Sequence, residues 1–225
     1  MNQTLPIDLV HLITQLAVYT EILPVIFYFI FFKKNYNVKG LRVILFVIVI
    51  GFLVDIYGFY LNSVGQSNFL FYNLFVLLET ISLLVFYHSI LKGNFIRVFI
   101  YIASAIFIIL WSYMFATRGD TKFLDSAVTI EYVLILIASI YFYFQIIKKP
   151  ETPIFTSPHF WIISAYMLYI AGTFFLFLFL DTLPPKEQEK YYIVNFVFLL
   201  VKTILLSIAM FMKPPAQERK KFQLT

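Results

Sequence analysis

Five ionisable side chains stand where an apolar chain can least accommodate them. The stretch Tyr72-Asn73-Leu74-Phe75-Val76-Leu77-Leu78-Glu79-Thr80-Ile81 carries Glu79 in its middle. Near the other end, Val194-Asn195-Phe196-Val197-Phe198-Leu199-Leu200-Val201-Lys202-Thr203-Ile204 repeats the pattern with Lys202, once Val201 is taken as an insertion. Glu21, Asp55 and Glu131 lie in further apolar runs. An unpaired charge at the centre of a membrane costs at least about 2.5–3.5 kcal/mol, so such residues mark ion pathways, proton relays or solute sites. A midplane Glu and Lys can also neutralise each other simply to hold two helices in register. That structural alternative leaves the carboxyl surplus unexplained: Glu21, Asp55 and Glu79 outnumber one lysine, and carboxyls crowded together can share a proton, the condition of a proton-coupled site.

Spacing says which neighbours each charge works with. Asn195 and Lys202 are seven apart and share a helix face with Tyr191, while Tyr72, Glu79 and Ser82 form a second stripe. Asp55 lies between Gly51 and Gly58, small residues that let a neighbouring backbone come close. Glu21 stands three residues before Pro24, whose missing N–H leaves the Thr20 carbonyl without its helical partner and kinks the helix beside a carboxylate. Other chemistry is poorly provided for. The chain has no cysteine, and His11, His88 and His159 are dispersed without a His-Glu-x-x-His motif. No glycine-rich phosphate loop and no Gly-x-Ser-x-Gly elbow occurs. Ser157 and His159 read as an interfacial polar pair, and neither an enzyme nor a metal site is expected.

The elements that must position these residues follow from composition. Of 225 residues, 61% are hydrophobic and only 13% charged, against roughly 25% charged in soluble domains. Seven runs long enough to cross a hydrocarbon core of about 30 Å fall near 9–32, 42–62, 69–91, 96–116, 126–147, 159–180 and 191–212. Short connections carry turn formers such as Asn35, Gly40, Gly65, Gly93, Gly119 and Pro184-Pro185. The first basic residue is Lys33, so the first run is expected to be a retained helix and not a cleaved signal. At about 1.5 Å of rise per residue, Glu21, Glu79 and Lys202 lie roughly 15–18 Å deep and Asp55 roughly 9 Å deep. Glu131 is shallower again and could simply snorkel to water.

Orientation comes from the basic residues. Lys33, Lys34, Lys39, Arg42, Lys92, Arg97, Lys148, Lys149, Lys213, Arg219, Lys220 and Lys221 fall on one side, and Arg118, Lys122, Lys186 and Lys190 on the other. The positive-inside rule puts the first group in the cytoplasm, with the N-terminus outside and the C-terminus inside. The net charge of +5 is therefore a matter of membrane orientation, and no nucleic-acid partner is expected. Tyr57, Tyr60, Trp111, Tyr113, Tyr191 and Tyr192 would form an outer aromatic belt, and Tyr28, Tyr87, Tyr143 and Trp161 an inner one.

The similarity between halves extends past the two opening stretches. Lysine pairs end the first and fifth runs, and Gly58 follows the first pair by nearly the interval at which Gly172 follows the second. Repeats 7–92 and 124–213 with a linker helix 96–116 would form a 3+1+3 parallel repeat about an axis along the membrane normal. The chain resembles small seven-helix membrane proteins of Bacteroidota over its whole length, which implies a bacterial inner (cytoplasmic) membrane. Its plan also resembles PQ-loop and SWEET-type transporters, in which an Asn on helix three and another on helix seven bind substrate; Asn73 and Asn195 stand at the matching places, and Pro24 resembles that group's helix-one proline. The Pro-Gln dipeptide is absent, helices two and five have no internal proline and midplane charges are not part of that pattern, so the resemblance leaves rocking transport open without implying sugar. Lys202 further resembles the retinal-binding lysine of microbial rhodopsins, although Phe198 replaces their Asp and the Trp-x-x-Tyr-Pro pattern is missing.

These readings combine into one expectation. The chain is an all-α polytopic membrane protein of seven transmembrane helices, one domain in the lipid bilayer, with no cofactor. Glu21, Asp55, Asn73, Glu79, Asn195 and Lys202 line a midplane site, with Pro24 as hinge and a buried Glu79–Lys202 pair. It binds and transports, or senses, a small polar solute. The alternatives are a non-transporting receptor or assembly protein and, more distantly, a retinal pigment on Lys202.

Overall fold

A computed structural model describes residues 7–118, 121–148, 154–179 and 185–212. Helices α1 (Ile7–Thr20), α2 (Ile22–Ile30) and the short α3 (Phe32–Asn35) are followed by α4 (Leu41–Ser63), α5 (Phe69–Ile90), α6 (Asn94–Arg118), α7 (Asp125–Ile147), α8 (Pro158–Phe179) and α9 (Pro185–Phe211). Among the described residues there is no strand. Among the described residues, seven helical spans are long and apolar enough to cross a membrane, from Leu12–Ile30 to Ile193–Phe211, as in a multi-pass seven-helix membrane bundle. Of the residues named above, Lys149, Lys213, Arg219, Lys220, Lys221, Gly119 and Pro184 lie outside the described residues, as do the side chains of His11, Pro185, Lys186, Lys190, Tyr191 and Tyr192.

The first span is broken where the proline demands it. The Thr20 hydroxyl donates back to the carbonyls of Leu16 (2.7 Å) and Ala17 (2.9 Å), a local bond that bends helices. Glu21 N–H then reaches only three residues back, to Val18. Pro24 supplies no donor to Thr20, so α1 ends and α2 starts afresh with Glu21 at the break.

Packing partners arrange the spans as a closed ring. The first span, α1 and α2, packs on α4, α4 on α5, α5 on α7, α7 on α8, α8 on α9, and α9 back on α1 and α2. Helix α6 stands outside the ring against α5 and α7. Its outer face, with Ile109 and Tyr113, is exposed apolar surface of the kind a membrane-spanning helix presents to its surroundings. Two glycines permit the closest approaches within the ring. A Cβ at Gly58 would sit 2.7 Å from the Tyr72 hydroxyl on α5, and one at Gly172 would overlap the Phe198 ring on α9.

The two ends of the ring differ in filling. At the end carrying Lys33, Lys34, Lys39, Lys92 and Lys148, here called the basic end, Tyr28, Leu41, Ile44, Leu84, Tyr87 and Ile163 are almost wholly buried. Hydrogen bonds stitch that end shut. Lys34 Nζ donates to the Met210 carbonyl at the end of α9, a His159 ring nitrogen bonds the Lys39 carbonyl (2.8 Å), and the Gln145 amide exchanges two bonds with the backbone of Lys92. Tyr28 and Tyr87 are therefore core residues and not an aromatic belt, because each hydroxyl-bearing ring points inward from its helix; Tyr87 bonds Ser139 at 2.6 Å. Trp111 likewise turns inward to the Asn73 carbonyl (3.0 Å), whereas Tyr57, Tyr60 and Tyr113 are exposed as a belt requires.

Candidate functional site

Opposite the basic end the ring is hollow. A cavity of about 1540 Å³ runs from Asn62, Ser63, Ser67 and Asn68, around the connection between α4 and α5, inward to Pro24, Val47 and Leu206. None of the side chains that seal the basic end lines it. The volume exceeds the roughly 300–1,000 Å³ usual for small-molecule pockets, leaving room for a solute with its water.

Each wall follows from a local rule. The break between α1 and α2 turns Glu21 into the cavity, where the residue is 8% exposed and its Oε2 has no hydrogen-bond partner among the described residues. Asp55 comes from the glycine-flanked face of α4; it accepts a hydrogen bond from the Tyr72 hydroxyl (2.8 Å) and interacts with the Glu21 carboxyl. The space Gly58 leaves is what seats Tyr72 in that position. Glu79 faces the same cavity from α5, within electrostatic range of Asp55 and Lys202.

Helices α8 and α9 build an aromatic wall. Lys202 Nζ lies 4.4 Å from the centroid of the Tyr169 ring and 5.6 Å from that of Tyr166, a cation–π arrangement. The Tyr169 hydroxyl donates to Asn195 Oδ1 (2.7 Å). Tyr132 on α7 meets Tyr169 edge-on at 6.1 Å and accepts from the Thr173 hydroxyl (3.3 Å). Glu131, only 3% exposed, completes the wall within range of Glu79 and Lys202.

Glu21, Pro24, Asp55, Glu79, Asn195 and Lys202 are thus brought to one cavity. Asn73 is not among them. Its Nδ2 donates to the Lys122 carbonyl (2.9 Å) and its Oδ1 accepts from the Leu124 N–H (3.0 Å), clamping the loop before α7. The reason is helical phase. At about 100° per residue, Asn195 and Lys202 seven apart share a face, while Asn73 and Glu79 six apart diverge by about 120°. The inserted Val201 that aligned the two stretches also rotated one relative to the other.

Two further expectations are corrected. Glu79 and Lys202 form no direct ion pair; the close partners of Lys202 are rings, because the stripe on α8 brings two tyrosines to its ammonium. Glu131 does not snorkel to the surface, because its side of α7 faces the ring interior. Tyr132, Tyr166 and Tyr169 also border the cavity and were not anticipated. The signal was present: Tyr166, Tyr169 and Thr173, spaced three and four apart, form a polar stripe on an apolar helix.

The arrangement is chemically specific. Among the described residues, four carboxyl groups and one ammonium border a single space with tyrosine rings around it. Among the described residues no three acidic or histidine side chains converge closely enough to hold a metal ion. What the walls offer is recognition of a polar molecule by charge, hydrogen bond and ring face. No family model matches the chain, and no curated protein and no solved structure matches it either.

Proposed function

We propose that the chain binds a small polar solute in the cavity and carries it across the membrane, entry being from the end where Asn62, Ser63, Ser67 and Asn68 stand. The observation that carries this reading is the joining of a roomy, one-ended cavity to charged side chains at mid-depth, since intramembrane charges are retained where they serve a pathway. By the count of basic residues that end is outside the cell, in a bacterial inner membrane.

The ring adjacency supports movement by a parallel 3+1+3 repeat. The first span, α4 and α5 would be one unit and α7, α8 and α9 the other, with α6 as linker. Each contact in the first unit has its counterpart in the second, and α5 against α7 matches α9 against the first span. Gly58 meets the third helix of its unit and Gly172 the third of its own. Rocking of the units about the central site would open the sealed end. The break at Glu21 and Pro24 lets the first span flex where it borders the cavity.

Purified protein in liposomes should move small polar solutes, and Glu21→Gln or Glu79→Gln should flatten the pH dependence of flux. Absence of flux across a broad screen at every pH would end the transport reading. The second reading, a receptor that holds its solute without moving it, is favoured by the close packing of the basic end, and would be left by solute binding without flux.

A further inference from the structure

The cavity carries a mismatch of charge that its own side chains do not resolve. Among the described residues, Glu21, Asp55, Glu79 and Glu131 border it with one cation, Lys202, and that ammonium lies against tyrosine rings instead of being bonded to a carboxylate. Glu21 is the sharpest case. The residue is 8% exposed, it borders the cavity, and its Oε2 has no hydrogen-bond partner among the described residues. Leaving a buried acceptor unsatisfied costs about 1–3 kcal/mol, so a donor is expected to arrive from the cavity.

The donor's chemistry can be narrowed. A bare divalent metal does not fit, since among the described residues no three ligating side chains converge. The walls beside the carboxylates are ring faces: Tyr72, Phe75 and Phe196 border the cavity with Tyr132, Tyr166 and Tyr169. Aromatic faces attract ammonium groups, as the seat of Lys202 over Tyr169 at 4.4 Å already demonstrates in this site. Among the described residues an anion would meet four carboxyls for one lysine, and a neutral sugar would bring no ammonium to the rings.

We infer that the occupant is a small organic cation whose ammonium group is received by Glu21 and Asp55 and whose carbon skeleton lies along the tyrosine wall. This rests on the solute-site reading and names its substrate class. Asp55 is held for the purpose by the Tyr72 hydroxyl at 2.8 Å, which fixes one carboxylate oxygen. Lys202, on the neighbouring helix α9, lies within electrostatic range of both carboxyls and limits by repulsion how far toward α9 the cationic end extends.

The test uses the purified full chain in detergent and isothermal titration calorimetry with six named probes: n-butylamine, 1,4-diaminobutane, tetramethylammonium, γ-aminobutyrate, acetate and glucose. At least one of the three cations should bind, and tenfold or more tighter than acetate or glucose. Glu21→Gln and Asp55→Asn should each weaken it tenfold or more, with gel filtration and unfolding midpoints confirming folded variants; Asp55→Asn, at a less buried position, serves if Glu21→Gln does not fold. Tighter binding of γ-aminobutyrate than of any cation would overturn the assignment in favour of a zwitterion that also uses Lys202. Binding confined to acetate or glucose, or cation binding indifferent to both substitutions, would overturn it while leaving a solute site. Failure of all six to bind would remove the solute site itself.

Discussion

Tyrosine does opposite work in the two halves of this bundle. At the basic end the Tyr87 hydroxyl meets the Ser139 hydroxyl and the Tyr143 hydroxyl meets that of Ser164, each at 2.6 Å, so both hydroxyls are taken up by a neighbouring helix. In the hollow half Tyr72 donates to Asp55 and Tyr169 to Asn195, partners that themselves border the cavity. A buried ring is inert where its hydroxyl is consumed by a neighbouring helix. It becomes part of a site where its partner retains further hydrogen-bonding capacity, as a carboxylate and an amide do. Seven spans of nearly uniform composition are thereby divided into a seal and a vessel.

Substitutions can break this contrast, and the largest effect should come from the seal. Leu84 is 1% exposed among packed neighbours, so Leu84→Ala should cost about 2–4 kcal/mol. Leu199 already borders the cavity, and Leu199→Ala should cost clearly less. Reversible unfolding in mixed detergent measures both, and equal losses would mean that the hollow half is as tightly packed as the seal.

A smaller effect separates the two asparagines. Asn73→Ala removes two hydrogen bonds to the loop at Lys122 and Leu124 and strands their backbone groups, a cost of about 1–3 kcal/mol that unfolding should report, with solute binding unchanged. Asn195→Ala should do the reverse, weakening binding while leaving stability nearly intact. The smallest effect concerns charge. A double-mutant cycle of Glu79→Gln and Lys202→Met should give a coupling of about 1 kcal/mol, well under the about 3–5 kcal/mol lost when one member of a directly paired buried bridge is removed. A coupling of the larger size would restore the direct pair.

The same asparagines show what was legible in the sequence and why the rest was not. Span number and placement follow from apolar run length, and the kink at Glu21 from Pro24, because these are set by the bilayer and by one missing N–H. The position of each charge along its span was equally readable. Direction around the helix was not, wherever an alignment gap of one residue intervened: Asn73 looked equivalent to Asn195 until helical phase separated them. Glu131 went astray for a related reason, since depth along α7 says nothing about whether its face meets lipid or the ring interior. The tyrosine wall was hidden by composition, tyrosine being so frequent here, 16 residues, that a spaced trio stands out only once Thr173 is counted with it.

The central claim, that one half is a water-filled vessel and the other a seal, is most directly tested along α9, which passes through both. The chain has no native cysteine, so single cysteines at Asn195, Leu199, Ala209 and Met210 can each be exposed to a water-soluble methanethiosulfonate. Asn195→Cys and Leu199→Cys should react readily, since both positions border the cavity, while Ala209→Cys and Met210→Cys, at fully buried positions, should stay protected. Protection at all four positions, or labelling of Ala209→Cys and Met210→Cys as fast as the other two, would contradict the account.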